Sequence, residues 1–526
     1  MTDAPIKGTK KALEAAEACG GVAVFPRFPT DSPATTDRTD WNDLYLEQGL
    51  DAVREQLTAA LADAKGLSLK VANEGGSRES VARTTKGENS GPPIENGDVG
   101  ALTEDTLATA FECAHAGKVH YAHAFGRWYV YNGASGIWSW DREELVAHWV
   151  REFVRDLNRE QREKWGKAAV VSAVAKLARR HPAIAISGME FDNNPMLLGT
   201  PAGPIDLSTA EALTPSWKHM VSKSTSVARA SGKPKLWLDT LLFASGGDTD
   251  LVDYLQRLFG YCLTGHTSEE SLEFFHGSGG NGKGVVMNTV LAIAGDYGRQ
   301  ASMDTFIRSR NDRHPADLAD LVGARLVIAA ESAEGARWDE QRVKMATGRD
   351  RISARFMRGN FFEFQPAFTL LIASNHKPRI GTVDDAWRRR LHLIPFDRKP
   401  AKADHELKDK LRAEYPQILA WMIEGAEWWS RDGLMPPDSV VTATEEYLAE
   451  EDVIGIWFRE CCEAAGAQEK AYRIDLYRSF ESWCHQMGHA ASSLHKVTRW
   501  LKAQGYRQAE SREDKARPFF GIKLCS

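Results

Sequence analysis

Apolar and polar positions along the chain change rhythm several times. Residues 1–65 carry helical patterns around one apolar run, Gly21–Phe25, and TDWNDLYLEQGLDAVREQL opens with cap-type residues before an amphipathic helix. From 66 to 100 the large apolar residues nearly vanish and Gly, Ser and Glu dominate, which predicts a flexible linker. Residues 101–215 predict a helix at Leu102–Ala116. Two alternating aromatic runs, WYVYN and GIWSW, follow around Asn132-Gly133 and Ser135-Gly136, a hairpin signal. Long helical patterns cover Arg142–Arg180, and 216–265 reads as helical. Between 266 and 400 short apolar strands alternate with helices, the pattern of an α/β layer. Residues 401–432 are helical, Pro436-Pro437 marks a boundary, and the last stretch gives three helical patterns and a β-like tail, RPFFGIKL.

Composition adds exclusions. With 43% hydrophobic and 26% charged residues in 526, the chain is neither wholly disordered nor fibrous. No apolar stretch is long enough for a membrane helix, and the N-terminus lacks a signal-type apolar core. Seven cysteines are too few for a disulfide scaffold, which points to a reducing, cytoplasmic compartment. A net charge of −6 advertises no nucleic-acid binding, so any such surface must be local.

The densest chemical signal is LEFFHGSGGNGKGVVMN. An apolar strand runs into Gly277, Ser278, Gly279, Gly280, Asn281, Gly282, Lys283 and Gly284, and a helix follows. This is the G-x-x-x-x-G-K core of a phosphate-binding P-loop. Its glycines let backbone N–H groups converge on phosphate oxygens, the helix contributes its positive end, and the lysine meets the β/γ phosphates of ATP. Gly284 stands where Ser or Thr ordinarily holds Mg²⁺; Asn288 and Thr289 lie one turn on. GARLVIAAE supplies a buried-type strand ending in Glu331, assigned to Mg²⁺ and to the attacking water, with Glu334 a weaker choice. FTLLIASN ends a third strand at Asn375, within reach of a γ-phosphate, and Arg388, Arg389 and Arg390 follow in DDAWRRRLHLIPF. Arginines placed so suggest a finger acting across a subunit boundary.

The ordered set GxxGNGK, GARLVIAAE, VKMATGRDRISARFM, LIASNHKP and AWRRRLHLIPF resembles the superfamily 3 helicases, in particular the primase-helicases of phages and plasmids and their poxvirus relatives. The resemblance spans roughly 101–526, with spacings of 48 and 44 residues from Lys283 to Glu331 and on to Asn375. It implies a ring, expected to be a hexamer, moving on single-stranded or forked DNA. It also implies Asn375 as sensor, Arg389 and Arg390 as the finger pair, and residues 344–358 as a DNA hairpin, a basic segment carrying Lys344, Arg349, Arg351, Arg355 and Arg358.

The expected architecture is therefore an α/β, AAA+-like P-loop ATPase core at 216–432. A helical domain precedes it at 101–215, where GPIDLSTAEALTP resembles the family's turn-rich strand pair, and a winged-helix-like DNA-binding domain follows at 433–526. Residues 1–65 resemble a remnant of a TOPRIM-type primase domain; Asp40 and Asp43 alone cannot build a two-metal site, which suggests a separately encoded primase. Residues 491–526 hold eight Lys/Arg against three acids, so Lys496, Arg499 and Lys502 are candidate DNA contacts. Trp128, Tyr129, Tyr131, Trp138 and Trp140 read as cross-strand packing before base stacking. Cys461, Cys462, Cys484 and His485 lack CxxC spacing and read as thiols rather than a zinc site. The functional expectation is an ATP-dependent replicative DNA helicase of a phage, prophage or plasmid. The alternatives are an origin-binding or defence-type assembly switch, which Gly284 keeps open, and a small-molecule P-loop kinase.

Overall fold

The computed structural model describes residues 103–157, 165–308, 316–355, 360–381, 383–510 and 516–525. The expectations for 1–65, for the linker and for Arg358 lie outside the described residues.

The first described block is mixed rather than helical. Thr103 caps helix Glu104–His115 in a reciprocal pair with Thr106. Strands β1 (Val119–Ala122), β2 (Arg127–Asn132) and β3 (Ile137–Trp140) form an antiparallel meander, and β4 (Ala185–Ile186) joins β1 in parallel. The predicted hairpin is β2–β3, with Tyr129 opposite Trp140 and Tyr131 opposite Trp138. Helices Glu104–His115, Leu145–Leu157 and Ala168–Ala178 supply Phe111, Val150 and Val174 to a core that takes Val119, Trp128 and Val130 from the sheet. A second sheet, β5 (Leu197–Thr200), β6 (Gly203–Asp206) and β7 (Glu211–Ala212), was legible only as a turn-rich strand pair. Trp138 is fully buried and its indole N–H donates to the Trp217 carbonyl at 3.0 Å, whereas Trp140 is exposed.

The centre is a five-stranded, all-parallel sheet of β8 (Leu272–His276), β9 (Gly298–Ser302), β10 (Leu326–Ala330), β13 (Thr369–Ser374) and β14 (Leu391–Pro395). Its order is β14-β8-β13-β10-β9. Alternate residues feed two cores: Phe275, Ile328, Leu371 and Ile394 on one face, Phe274, Val327, Leu370 and Leu393 on the other. Burial on both faces explains why these strands read as continuous apolar runs. The intervening β11 (Ile352–Arg355) and β12 (Phe361–Phe364) pair as a separate antiparallel ribbon. Helices Thr249–Tyr261 and Tyr415–Asp432 touch through Gly260 and Gly425; a Cβ on either would overlap the other's backbone.

The boundary expected at 432/433 falls later. Helix Asp438–Glu451 packs Tyr447 and Leu448 into the core under the parallel sheet, so it belongs there. Asp452 then breaks the helical run, accepting from the Gly455 N–H at 3.0 Å to start helix Val453–Cys461. That helix, with Arg473–Met487 and Leu494–Ala503, forms a core of its own around Trp457, Phe480 and Leu501. The tail does not fold on itself: β17 (Phe519–Phe520) pairs with β16 (Lys470–Ala471), and β18 (Ile522–Leu524) with β15 (Cys462–Ala464). Among the described residues no helix is long and apolar enough to cross a membrane.

Candidate active site

β8 ends at His276, the chain turns through 277–282, and a helix begins at Lys283. The turn needs its glycines unequally. Gly277 has φ +156°, and a Cβ there would overlap the Phe396 carbonyl. Gly280 and Gly282 have φ +82° and +88°, the left-handed region that side chains avoid. Around Gly280, Gly282 and Gly284 the space a Cβ would take is open, so the loop presents a bare backbone face. Ser278 and Gly279 are exposed, while Asn281 is buried, its amide donating to the Phe396 carbonyl.

Lys283 is not the solvent-facing residue a surface loop suggests; it is only 6% exposed. Its Nζ donates to the Gly277 carbonyl at 2.6 Å, to Asn281 Oδ1 at 3.1 Å and to Asn375 Oδ1 at 3.0 Å. Burial pulls its pKa down to about 8; the nearby Asp397 charge opposes this and Lys399 adds to it.

Strand order sets the rest. β13 lies between β8 and β10, so Asn375, just past β13, stands between the loop and Glu331, just past β10. Glu331 is exposed and holds φ +66°, unusual for a residue with a Cβ. Its N–H donates to the Ala373 carbonyl at 3.0 Å. Ser332 and Ser374, whose hydroxyls are 2.6 Å apart, fasten the two strand ends together. Ser374 Oγ also accepts from the Ser332 N–H, and Ser332 Oγ donates to the His376 carbonyl. Ser332 carries no sequence signal of its own beyond its place next to Glu331, as Ser374 stands next to Asn375.

The bare loop face, the helix start and Lys283 suit a triphosphate. For Mg²⁺ the donors are fewer. Thr289 is 2% exposed and faces the core, while Asn288 and Glu331 are exposed.

The arginines stand elsewhere. Helix Asp385–Arg390 leads into β14, whose Leu391 pairs with Leu272 at the amino end of β8. The loop leaves the other end, so Arg389 and Arg390 are roughly 16 Å along the strand from it, five residues at about 3.3 Å each. They do not meet Lys283 of their own chain. Arg389 is exposed; its guanidinium makes a 3.4 Å bond to the Asp385 carbonyl. Arg390 is held by Glu270, Nη2 to Oε2 at 2.9 Å.

The basic segment is also rearranged. Lys344 lies on helix Glu340–Thr347, not in the hairpin, and its Nζ pairs with Asp384 at 2.8 Å. The ribbon begins at Ile352. Arg351 at its root is exposed with Glu363 at 3.8 Å, and the Arg355 guanidinium lies 5.1 Å over Phe361, an exposed ring. On helix Leu494–Ala503, His495, Arg499 and Lys502 are exposed at i, i+4, i+7, one face of the helix. Lys496 points away from that stripe to the Gly381 carbonyl at 3.3 Å.

Two family models match parts of the chain: a "D5 N terminal like" family at 108–243 and a family of unknown function (DUF5906) at 275–390. The helicase-named protein L207/L206 of Acanthamoeba polyphaga mimivirus is 27% identical over 258 residues, 45% of this chain. The helicase-named protein 022R of Frog virus 3 is 26% identical over 271 residues, 46% of this chain. The aligned part is 27% and 26% of those relatives' own length, so the chain spans about a quarter of them. Among solved structures, the apo NrS-1 C-terminal region superposes over 80% of this chain and 99% of its own, with TM-score 0.45 and 11% identity in one form, 0.42 and 11% in another.

Proposed function

We propose that this chain is an ATP-driven DNA helicase of the superfamily 3 type, acting as a ring of identical subunits in the replication of a phage, prophage or plasmid. The observation that carries the proposal is Lys283 Nζ held 3.0 Å from Asn375 Oδ1, with the Glu331 strand end fastened beside Asn375. An anion-binding lysine, a polar amide and a carboxylate are thus gathered at the carboxyl ends of adjacent parallel strands, where open α/β sheets bind ligands. The helicase-named viral relatives and the D5-type match point the same way.

In this reading the loop backbone from Gly277 to Gly284 cradles the phosphates of ATP. Lys283 exchanges its carbonyl and amide acceptors for phosphate oxygens. Asn375 orients the water and Glu331 polarises it. Glu331, without a hydroxyl at position 284, would hold Mg²⁺, which would supply neutralising charge. Arg389, roughly 16 Å along the strand from the loop of its own chain, serves a neighbouring subunit's site in a head-to-tail ring. The ribbon with Arg351 and Arg355 and the exposed stripe with Arg499 and Lys502 contact DNA, the latter from a winged-helix-like module. Lys344 and Lys496 serve those elements through intramolecular bonds rather than through DNA.

The test is ATP hydrolysis by the purified chain with and without single-stranded DNA, together with separation of a labelled fork. Turnover that DNA raises, and that Lys283→Ala removes, supports the reading. ATP turnover indifferent to DNA, with no strand separation, rejects it.

A further inference from the structure

Glu270 joins three elements that the sequence separates by up to 120 residues. It stands two residues before β8, at the root of the strand that carries the phosphate loop. One carboxylate oxygen accepts from Arg390 Nη2 at 2.9 Å, at the end of helix Asp385–Arg390. The other lies 3.6 Å from Arg349 Nε, just before the ribbon strand β11. Arg349 also donates to the Ser268 carbonyl at 2.9 Å, gripping the same root twice. Beside this, Lys344 pairs with Asp384 at 2.8 Å; Asp384 is the cap of the arginine helix and accepts from the Trp387 N–H. Two charge clasps thus tie the arginine helix to the helix and ribbon that precede it in sequence.

Two further features single out Glu270. Its φ is +50°, a left-handed conformation that a residue with a side chain adopts at a cost. Arg390 is largely buried, its side chain 14% exposed, so its bond to Glu270 is poorly screened, unlike the outer Arg349 arm at 57%. Glu270, Lys344, Arg349 and Arg390 line one cavity of about 570 Å³. The clasp therefore has space in which to rearrange.

We propose that Glu270 is a positioning residue coupling the arginine helix to the DNA ribbon. It holds Arg390 and the ribbon root on one carboxylate, so that a shift of the arginine helix at a subunit boundary moves the ribbon, and the reverse. This rests on the helicase reading. Arg390 accordingly acts as the tether of its helix, leaving Arg389 to reach the neighbouring site.

The experiment measures the ratio of ATP turnover with a single-stranded oligonucleotide to turnover without it. The wild-type chain must show a ratio above one; a ratio of one would remove the helicase reading, and the coupling with it. Given stimulation, Glu270→Gln, which keeps size and loses charge, is expected to lower the ratio about fivefold or more, the lower range of coupling between linked sites. The oligonucleotide concentration for half-maximal stimulation should stay at the wild-type value, because the variant touches no DNA-facing side chain. Glu270→Asp is expected to recover part of the ratio. Should Glu270→Gln fail to fold, Arg349→Met cuts the exposed arm and is expected to lower the ratio as well. A wild-type ratio in Glu270→Gln, or in Arg349→Met where Glu270→Gln does not fold, with the helicase activity intact, overturns the clasp.

Discussion

The ammonium of Lys283 and the amide oxygen of Asn375, 92 residues apart in sequence, are 3.0 Å apart in the fold. The contact exists because β8 and β13 are neighbours in register, Ser374 pairing with His276, so both loops leave the sheet at one level. Lys283 therefore waits in a ring of neutral acceptors, with no carboxylate bonded to it among the described residues, which is why burial can bring its pKa to about 8.

That pKa gives a pH signature. On the helicase reading, only the protonated lysine serves the phosphates. So kcat/KM, which reports the free enzyme, should fall as pH rises through about 8. The fall in kcat should come at higher pH, because bound phosphate favours the ammonium. Lys283→Ala should lower turnover by about 10²–10³, the range for losing one preorganised charge-stabilising donor. A kcat/KM profile flat from pH 7 to 9 would contradict the assignment.

The loop glycines should separate under mutation. Gly277→Ala forces a methyl against the Phe396 carbonyl at φ +156°. A stability loss of about 1–3 kcal/mol is expected from such overpacking. Gly284→Ser meets open space and should fold like the parent, with equal or tighter Mg²⁺ dependence of turnover. Denaturant titration of both variants, and a Mg²⁺ titration of the second, checks this.

Arg389 and Arg390 should behave differently. Arg389→Ala removes an exposed side chain and should leave stability within about 0.5 kcal/mol while abolishing turnover in an isolated variant. Arg390→Ala removes the buried arm of the Glu270 clasp, leaving the exposed Arg349 arm, and should cost stability as well. Mixing Arg389→Ala subunits with Glu331→Gln subunits should restore some turnover, because mixed rings contain interfaces with an intact arginine facing an intact carboxylate. Inactive mixtures, with only monomer seen by light scattering in ATP and DNA, would reject the ring.

A second titration lies inside the sheet. Glu273 on β8 is fully buried, accepting from Tyr254 Oη at 2.6 Å and lying 3.1 Å from His392 Nδ1 on β14. Burial pulls the His392 pKa down, but the Glu273 charge and hydrogen bond, helped by Glu269, raise it overall above 6.5. A raised histidine pKa gives stability that is complete below the unfolded value, about 6.5, and lost as pH rises through the folded one. Wild type should therefore lose unfolding free energy between pH 6 and 8 relative to His392→Gln. Glu273→Leu should abolish this pH dependence, because without the carboxylate burial lowers the His392 pKa and leaves a neutral imidazole. Guanidinium melts at both pH values decide it.

Much of this was legible one element at a time. The strand, glycine turn and lysine follow from local pattern, since an apolar run buried on both faces can only continue into a loop at its end. The β2–β3 hairpin followed from alternation and turn residues. The C-terminal boundary did not, because ATEEYLAEEDVIGIWF is one helical rhythm; only packing shows Tyr447 under the parallel sheet and Trp457 in another core. The helical label for 101–215 fits only part of that block: the strands of its second sheet, two to four residues long, are too short for alternation to register and were legible only as a turn-rich pair.

Local sequence thus determined which side chains could do chemistry and on which strand ends or helices they sit, because periodicity, turn residues and caps act over a few positions. Strand order is set instead by which apolar faces find each other across the whole span from Leu272 to Pro395. That order alone put Asn375 between Lys283 and Glu331, buried the lysine, and carried Arg389 to the far end of β14. It also brought Glu270, Arg349 and Arg390 onto one carboxylate, since long-range charge contacts leave no periodic trace in the chain.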